Sequence, residues 1–510
     1  MRDLRIGVDV GGTNTDAVVL DAANRIVAAT KQATSADVTA GMRNAITAVL
    51  EQLGDERQRV GRVMLGTTHA TNAILERRRL GRVAAVRLGA PSSKSVPPME
   101  SWPADLREYV LAGAAVLGGG NYVDGREIAP LDEEGLRRFL ATIAGHADAV
   151  AVTSVFSPAS NEQELRAAEI VAEELGAQVP VSVSHEIGAL GLLERENAAV
   201  LNAALYQVAA HVHDALQEVL DQHGLDVTRY FAQNDGTLMT VDYAARYPVL
   251  TIGSGPANSI RGAAYLSGLS DAIVADVGGT STDLGVLVNG FPRVSSAGVE
   301  IGGVRTNFRM PDILALALGG GTVIGADGVP GTTSVGYRIG TEALVFGGST
   351  ATMTDACVAA GRAAIGTVRP PAELAGVLRR TDEQVADAVD RMSLGKSDLP
   401  LVVVGGGAFL VPDGLPGVSE VVRPSHGGVA NAVGAAIALV SGSIETIVPA
   451  GAGRREAIDT AVETARGRAV QAGADPAAVE VVEVTEIPLS YLPEPALRVQ
   501  IKAAGPLGKI

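Results

Sequence analysis

The sequence predicts an α/β protein of two similar half-domains, and three observations carry that prediction. The octapeptide Asp9-Val10-Gly11-Gly12-Thr13-Asn14-Thr15-Asp16 recurs as Asp276-Val277-Gly278-Gly279-Thr280-Ser281-Thr282-Asp283, with only Asn14/Ser281 differing. Each copy sits between short apolar runs: Leu4 to Val8 and Ala17 to Leu20, then Ala272 to Ala275 and Leu284 to Val288. Around them, strand-like runs alternate with helical ones, as in a parallel or mixed sheet covered on both faces.

Each octapeptide reads as strand, tight glycine turn, strand. Glycine admits positive φ, which would aim successive N–H groups into one concavity suited to phosphate oxygens. Thr13, Thr15, Thr280 and Thr282 add hydroxyls to Gly11, Gly12, Asn14, Gly278, Gly279 and Ser281. Asp9 and Asp276 suit a hydrated Mg²⁺. Two such loops imply two half-domains closing on one nucleotide, ATP by this reading. One copy alone would also fit an ordinary hairpin whose aspartates cap their own turn. Neither the Walker nor the Rossmann glycine spacing is present.

The remaining elements follow in order. Ala40 to Leu53 has a helical period, and Val63 to Leu65 makes a buried strand before Gly66-Thr67-Thr68. Residues 90–130 are read as irregular. Leu131 to Ile143 and Glu162 to Leu175 are read as helices, Ala149 to Val155 and Val179 to Ser184 as strands, and Glu194 to Gln222 as one long helix. Gly319-Gly320-Gly321 is read as a flexible connection. Thr381 to Met392 is helical, and Leu399 to Val404 is a buried strand ending in Gly405-Gly406-Gly407. The expected division is a first half over 1–185, a second over 186–440, and a small C-terminal α+β extension over 441–510.

Composition narrows the function. The 510 residues carry a net charge of −16, which disfavours a general role in binding nucleic acid. One cysteine, Cys357, excludes an internal disulfide framework and a cysteine metal cluster. The chain starts a strand almost at once, so a signal peptide is not expected. Its most apolar stretch, Gly428 to Val440, is too short for a membrane span, and the cytoplasm is the expected compartment.

Several segments together resemble the hydantoinase/oxoprolinase family, in a short-type member. They are the first loop, Leu65-Gly66-Thr67-Thr68-His69-Ala70-Thr71-Asn72, Ser184-His185-Glu186, Glu194-Arg195-Glu196-Asn197, Ser254-Gly255-Pro256-Ala257, the second loop, Gly405 to Gly407, and Gly427-Gly428-Val429-Ala430-Asn431. The resemblance covers about residues 1–440. It implies two actin/hexokinase-like (ribonuclease H-like) half-domains around a nucleotide cleft. It also implies an ATP-dependent hydrolase that opens a cyclic amide, such as a hydantoin, a lactam or 5-oxoproline, by phosphorylating the amide oxygen.

On that reading Asp9, Asp276 and His69 are catalytic, with Asp9 and Asp276 holding Mg²⁺ through water. Gly405, Gly406 and Gly407 let adenosine approach the backbone, and Gly253, Ser254 and Gly255 lie beside the phosphates. Thr67, Thr68, Thr71 and Asn72 open a helix whose N–H groups suit a substrate carboxylate, and Glu186 and Glu196 complete the substrate side. Bland readings stand beside these: helix capping for Thr68 or Thr71, a His69 that only hydrogen-bonds to and supports its neighbours, and a structural ion-pair network around Glu186 and Glu196. Two other functions compete, an ATPase subunit that activates a hydantoinase B-like or other partner, and a small-molecule kinase. The sequence is also compatible with a homo-oligomer.

Overall fold

The computed structural model describes residues 2–33, 38–295, 298–307, 310–395, 398–489, 492 and 495–508. Its largest sheet has nine strands in the order Glu480–Leu489, Ala496–Gly505, Val440–Pro449, Leu238–Thr240, Thr228–Ala232, Val60–Thr67, Leu4–Val10, Asn14–Leu20 and Ile26–Ala33. The first octapeptide is the turn of the Leu4–Val10/Asn14–Leu20 hairpin, with Asp9 opposite Asp16. The second lies in a separate sheet, between Ala272–Val277 and Thr282–Val288, with Asp276 opposite Asp283. Leu401–Val404 runs parallel to Ala272–Val277 and delivers Gly405 to Gly407 to the same edge.

The expected boundaries at 185 and 440 are not respected by strand pairing. Thr228–Ala232 returns to the first sheet parallel to Val60–Thr67, and a parallel return needs a long crossover. Much of that crossover folds as a small parallel sheet of its own, Leu111–Gly118, Val83–Ala90, Ala149–Ser154 and Val181–Val183. The region read as irregular therefore holds the helix Ala104–Val110 and the strand Leu111–Gly118. Its Gly- and Ala-rich composition hides the strand. The C-terminal segment is not a separate unit either: Val440 pairs with Leu238, so it lengthens the first sheet.

The long helix expected over 194–222 is two, Leu192–Ala204 and Tyr206–Gln222. The carbonyl of Ala204, at the junction, accepts from Gly81 N–H at 2.8 Å. Between the two large sheets lie the crossed helices Ser254–Ser267 and Ala430–Ile437. A Cβ on Gly434 would stand 1.8 Å from Asn258 O, and one on Gly262 would stand 1.9 Å from Ala430 O. A Cβ on Gly7 would stand 2.2 Å from Ala432 O, so the same helix rests on the first hairpin. Glycines at these crossings let the helices approach backbone to backbone and join the halves. No helix among the described residues is long and apolar enough to cross a membrane.

Candidate functional site

The two glycine hairpins face one another across a cleft of ≈ 500 Å³. Their turns close alike: Gly11 N–H donates to Asn14 O at 3.0 Å, and Gly278 N–H to Ser281 O at 2.9 Å. The tips touch, with the Thr13 and Thr280 hydroxyls 3.3 Å apart. The reason for glycine differs from the expected one. Gly11, Gly12, Gly278 and Gly279 have no positive φ. At Gly279 what matters is room, since a Cβ there would lie 2.8 Å from Thr13 Cγ2.

Asn431 spans the cleft, donating from Nδ2 to Asp9 Oδ2 at 3.4 Å and to Asp276 Oδ2 at 3.2 Å. Asn258 Nδ2 donates to Asp9 Oδ1 at 3.3 Å. Burial pushes the Asp9 carboxyl up to about 6 against these amide bonds, and it raises Asp276 as well. Asp16 is pushed by burial up to about 7, although Lys31 Nζ lies 2.6 Å from its Oδ1. Asp283 has no ion pair among the described residues, and burial, then the charge of Asp276, push it up to about 7. The duplicated loops are thus electrostatically unequal.

Added positive charge stabilises such a cluster. Asp9 and Asp276 fit a hydrated Mg²⁺, which takes one or two carboxylates and keeps several waters. No three His, Cys, Asp or Glu side chains converge into a protein-only metal site among the described residues. The fit is therefore to an ion that also takes phosphate oxygens. Gly405 has φ +89, and a Cβ there would stand 2.4 Å from Asp276 Oδ1. Gly319 to Gly321 is no flexible connection: Gly320 and Gly321 N–H donate to Gly278 and Gly279 O at 3.0 and 2.7 Å. Ile339, Phe346, Ile365 and Phe409 form an apolar part of the lining.

Other expected site residues are placed elsewhere. Thr15 is fully buried, and the Thr282 hydroxyl donates to Leu318 O at 2.6 Å, so both build their hairpins. Gly253 precedes the helix Ser254–Ser267 with φ +71, and neither it, Ser254 nor Gly255 lines the cleft. The Thr68 hydroxyl donates to Val10 O at 3.1 Å rather than capping the helix, and Asn72 Nδ2 donates to Thr68 Oγ1 at 3.3 Å. Thr71 is half-buried on that helix. Thr67 and His69 are hydrogen-bonded to each other and open on a mostly apolar pocket of ≈ 200 Å³.

Glu186 is held by Arg246 at 2.5 Å and the Tyr247 hydroxyl at 2.8 Å. Glu196 grips Arg87 with both oxygens at 2.6 Å and is 2% exposed. Neither reaches the cleft. Lys31, Asn258, Gly320 and Thr354 entered the site unannounced, because their contacts are made across the fold. Asn431 had two available signals, its place at the end of the segment Gly427 to Asn431 that resembles the family and its standing as a lone amide inside the apolar stretch Gly428 to Val440.

Two halves meeting at paired glycine hairpins define a protein of the actin-like, hexokinase-like ATPase fold. The chain belongs to the hydantoinase/oxoprolinase family: residues 5–175 match its N-terminal region and residues 195–366 its following region. It is 27% identical over 415 residues to the caprolactamase subunit alpha of Pseudomonas jessenii, covering 76% of this chain and 58% of that protein. It is 28% identical over 402 residues to the acetophenone carboxylase gamma subunit of Aromatoleum aromaticum, covering 70% and 53%. The chain thus spans little more than half the length of these relatives. The solved structure of the ATP-dependent caprolactamase from Pseudomonas jessenii superposes with a TM-score of 0.77 at 19% identity, over 99% of this chain and 89% of that one. Nucleotide-free acetone carboxylase gives 0.71 at 16%, over 100% and 89%.

Proposed function

We propose that the chain is an ATP-dependent hydrolase that opens a cyclic amide by phosphoryl activation of the amide oxygen. The observation that carries this reading is the bridged carboxylate pair, Asp9–Asn431–Asp276, set between two phosphate-sized glycine turns. One ATP phosphorylates the amide oxygen and makes its carbon electrophilic. Water adds, the C–N bond breaks as the ring nitrogen leaves with a proton, and a second water releases phosphate from the acyl phosphate. Thr13 and Thr280 hydroxyls and the loop amides bind phosphate oxygens. Asp9 and Asp276 would hold a hydrated Mg²⁺, which would supply neutralisation of the transferring charge. Gly405 to Gly407, with Phe346 and Phe409, take the adenosine. Thr68 and Asn72 brace the first loop through Val10.

A second reading has a specific support: the relatives are named as subunits. On it, the chain turns over ATP to activate a partner subunit. Phosphate release by the purified chain with Mg-ATP separates the two, alone and with hydantoins, lactams and 5-oxoproline. Stimulation by one cyclic amide, with ring-opened product in step with phosphate, is the expected outcome. Slow release that no compound stimulates would point to the partner-dependent reading.

A further inference from the structure

We infer that the cyclic amide binds in a second, polar pocket of ≈ 100 Å³ with one wall built by the C-terminal strands; this rests on the function proposed above. The pocket is lined from three directions. The first sheet contributes Gln233 to Asp235, Ser441 to Glu445, Gln500 and Lys502. The small parallel sheet contributes His185 to Ala189, and the second half contributes Val294 and Asn307.

The strands Val440–Pro449 and Ala496–Gly505 give this pocket an unusual wall. Ser443 pairs with Lys502 and Glu445 with Gln500, so these side chains share one face. On the other face Leu497, Val499 and Ile501 pack on Ala461 and Ala465 of the helix Arg454–Gln471. An edge extension with one apolar face normally turns its polar face to water. Here that face turns inward, and Lys502 is only 8% exposed.

The charges of this wall are balanced in pairs. Lys502 meets Asp235 at 2.7 Å, Arg498 meets Glu445 at 2.8 Å and Arg246 meets Glu186 at 2.5 Å, while His185 Nδ1 is hydrogen-bonded to Glu164 at 2.6 Å. Arg468, half-exposed at the rim, donates to Ser443 O at 2.8 Å. A charged ligand entering the interior would lose water and find its counter-charge already engaged.

Neutral hydrogen-bonding capacity is what remains. The Nδ2 of Asn234, a residue 4% exposed, is buried with no acceptor. Lys502 has three donor protons and one carboxylate partner, Asp235. Asp235 already accepts from Thr237 N–H, the Thr237 and Ser441 hydroxyls and Lys502. A carbonyl oxygen meets this surplus of donors, and an adjacent N–H finds the side-chain carbonyls of Gln233 and Gln500. That is the pattern of a lactam or cyclic urea. The volume is on the scale of cavities that accept one small ring, about 150 Å³ for benzene.

Position agrees. Thr228–Ala232 is parallel to Val60–Thr67, which is parallel to Leu4–Val10, with Phe231 opposite Leu65 and Leu65 opposite Val8. The turn carrying Asn234 therefore leaves the sheet at the same edge as Asp9, about 10 Å away across two strand spacings. The pocket beside Thr67 and His69 fits an amide less well. Its lining is mostly apolar, and those two residues already bond to each other.

The test is lactam-stimulated phosphate release with 2-pyrrolidinone, δ-valerolactam and hydantoin, for wild type, Asn234→Leu and Ser443→Phe. Asn234→Leu removes the partnerless donor, and Ser443→Phe fills the exposed mouth without entering the core. The expected result is an amide KM raised tenfold or more in both variants, with basal ATP turnover unchanged and Asn234→Leu melting at or above wild type. Stimulation that both variants retain at wild-type KM overturns this site and leaves the proposed function standing. Absence of stimulation in wild type overturns the proposed function and this inference with it. If Asn234→Leu fails to fold, Ser443→Phe alone decides.

Discussion

At the scale of single residues, the carboxylates of the cleft govern both chemistry and pH response. Asp9→Asn and Asp276→Asn are expected to lower ATP turnover by about 10³-fold, the size of losing a preorganised electrostatic contact at a transferring phosphoryl group. Circular dichroism should show the fold retained, and near-wild-type turnover in either variant would sink the two-loop mechanism. A group holding Mg²⁺ must be ionised, so turnover should rise with pH through about 6, where Asp9 titrates. Stability of the free chain has the opposite slope from these groups. Their folded-state values lie above the unfolded ones, so the native state binds more protons between about 4 and 7. That contribution to stability is present at low pH and is lost as pH rises through 6 to 7. Denaturant midpoints measured across this window should flatten in Asp283→Asn, whose carboxyl has no cation among the described residues to offset its burial.

At the scale of elements, the crossed helices Ser254–Ser267 and Ala430–Ile437 carry the alignment of the two loops. Gly434→Val places carbon atoms on the Asn258 carbonyl. It also disturbs the helix that supplies Asn431 and, through its partner, Asn258. The expected effect is a loss of about 1–3 kcal/mol or more, as for overpacking a close contact, together with reduced ATP affinity. Unfolding curves and nucleotide titration would measure the two separately. Glu196 belongs to the scaffold of the small parallel sheet, because its bidentate pair with Arg87 is sealed from solvent. Glu196→Ala should cost about 3–5 kcal/mol by stranding a buried guanidinium. The folded fraction should retain wild-type basal turnover, and a selective loss of turnover at unchanged stability would return Glu196 to the site.

At the scale of the whole molecule, the C-terminal strands complete the first half. Val440–Pro449 covers the edge of the three-residue strand Leu238–Thr240, and Ala469 and Ala472 join the first core. A chain ending at residue 440 is therefore expected to be unstable or aggregated rather than an intact ATPase. Unpaired strand edges and uncovered apolar surface both favour association. Size-exclusion chromatography and a thermal melt would show it. A soluble, cooperatively folding product with full basal turnover would make the C-terminal segment the separate unit that composition suggested.

The sequence by itself determined the two hairpins, their duplication and the family. These rest on local chemistry: alternating apolar runs, glycine turns, and aspartates at fixed spacing. It also gave the helix Glu162–Leu175 residue for residue, because period and boundary signals agreed there. It misjudged the reason for the loop glycines, none of which takes a positive φ; one of them, Gly279, makes room for Thr13 of the opposite half. It also placed Glu186 and Glu196 together on the substrate side, whereas Glu196 is sealed against Arg87 and Glu186, held by Arg246 and Tyr247, lines the second pocket. A carboxylate's partner, Arg87 for Glu196, lies far away in the chain and leaves no trace in the local pattern. Only the tertiary structure decided that Asn431 bridges the two aspartates, that Lys31 separates Asp16 from Asp283 in character, and that the final strands enlarge the first sheet. Each of these depends on long-range pairing, where distance in space is fixed by strand register and helix crossing, not by distance along the chain.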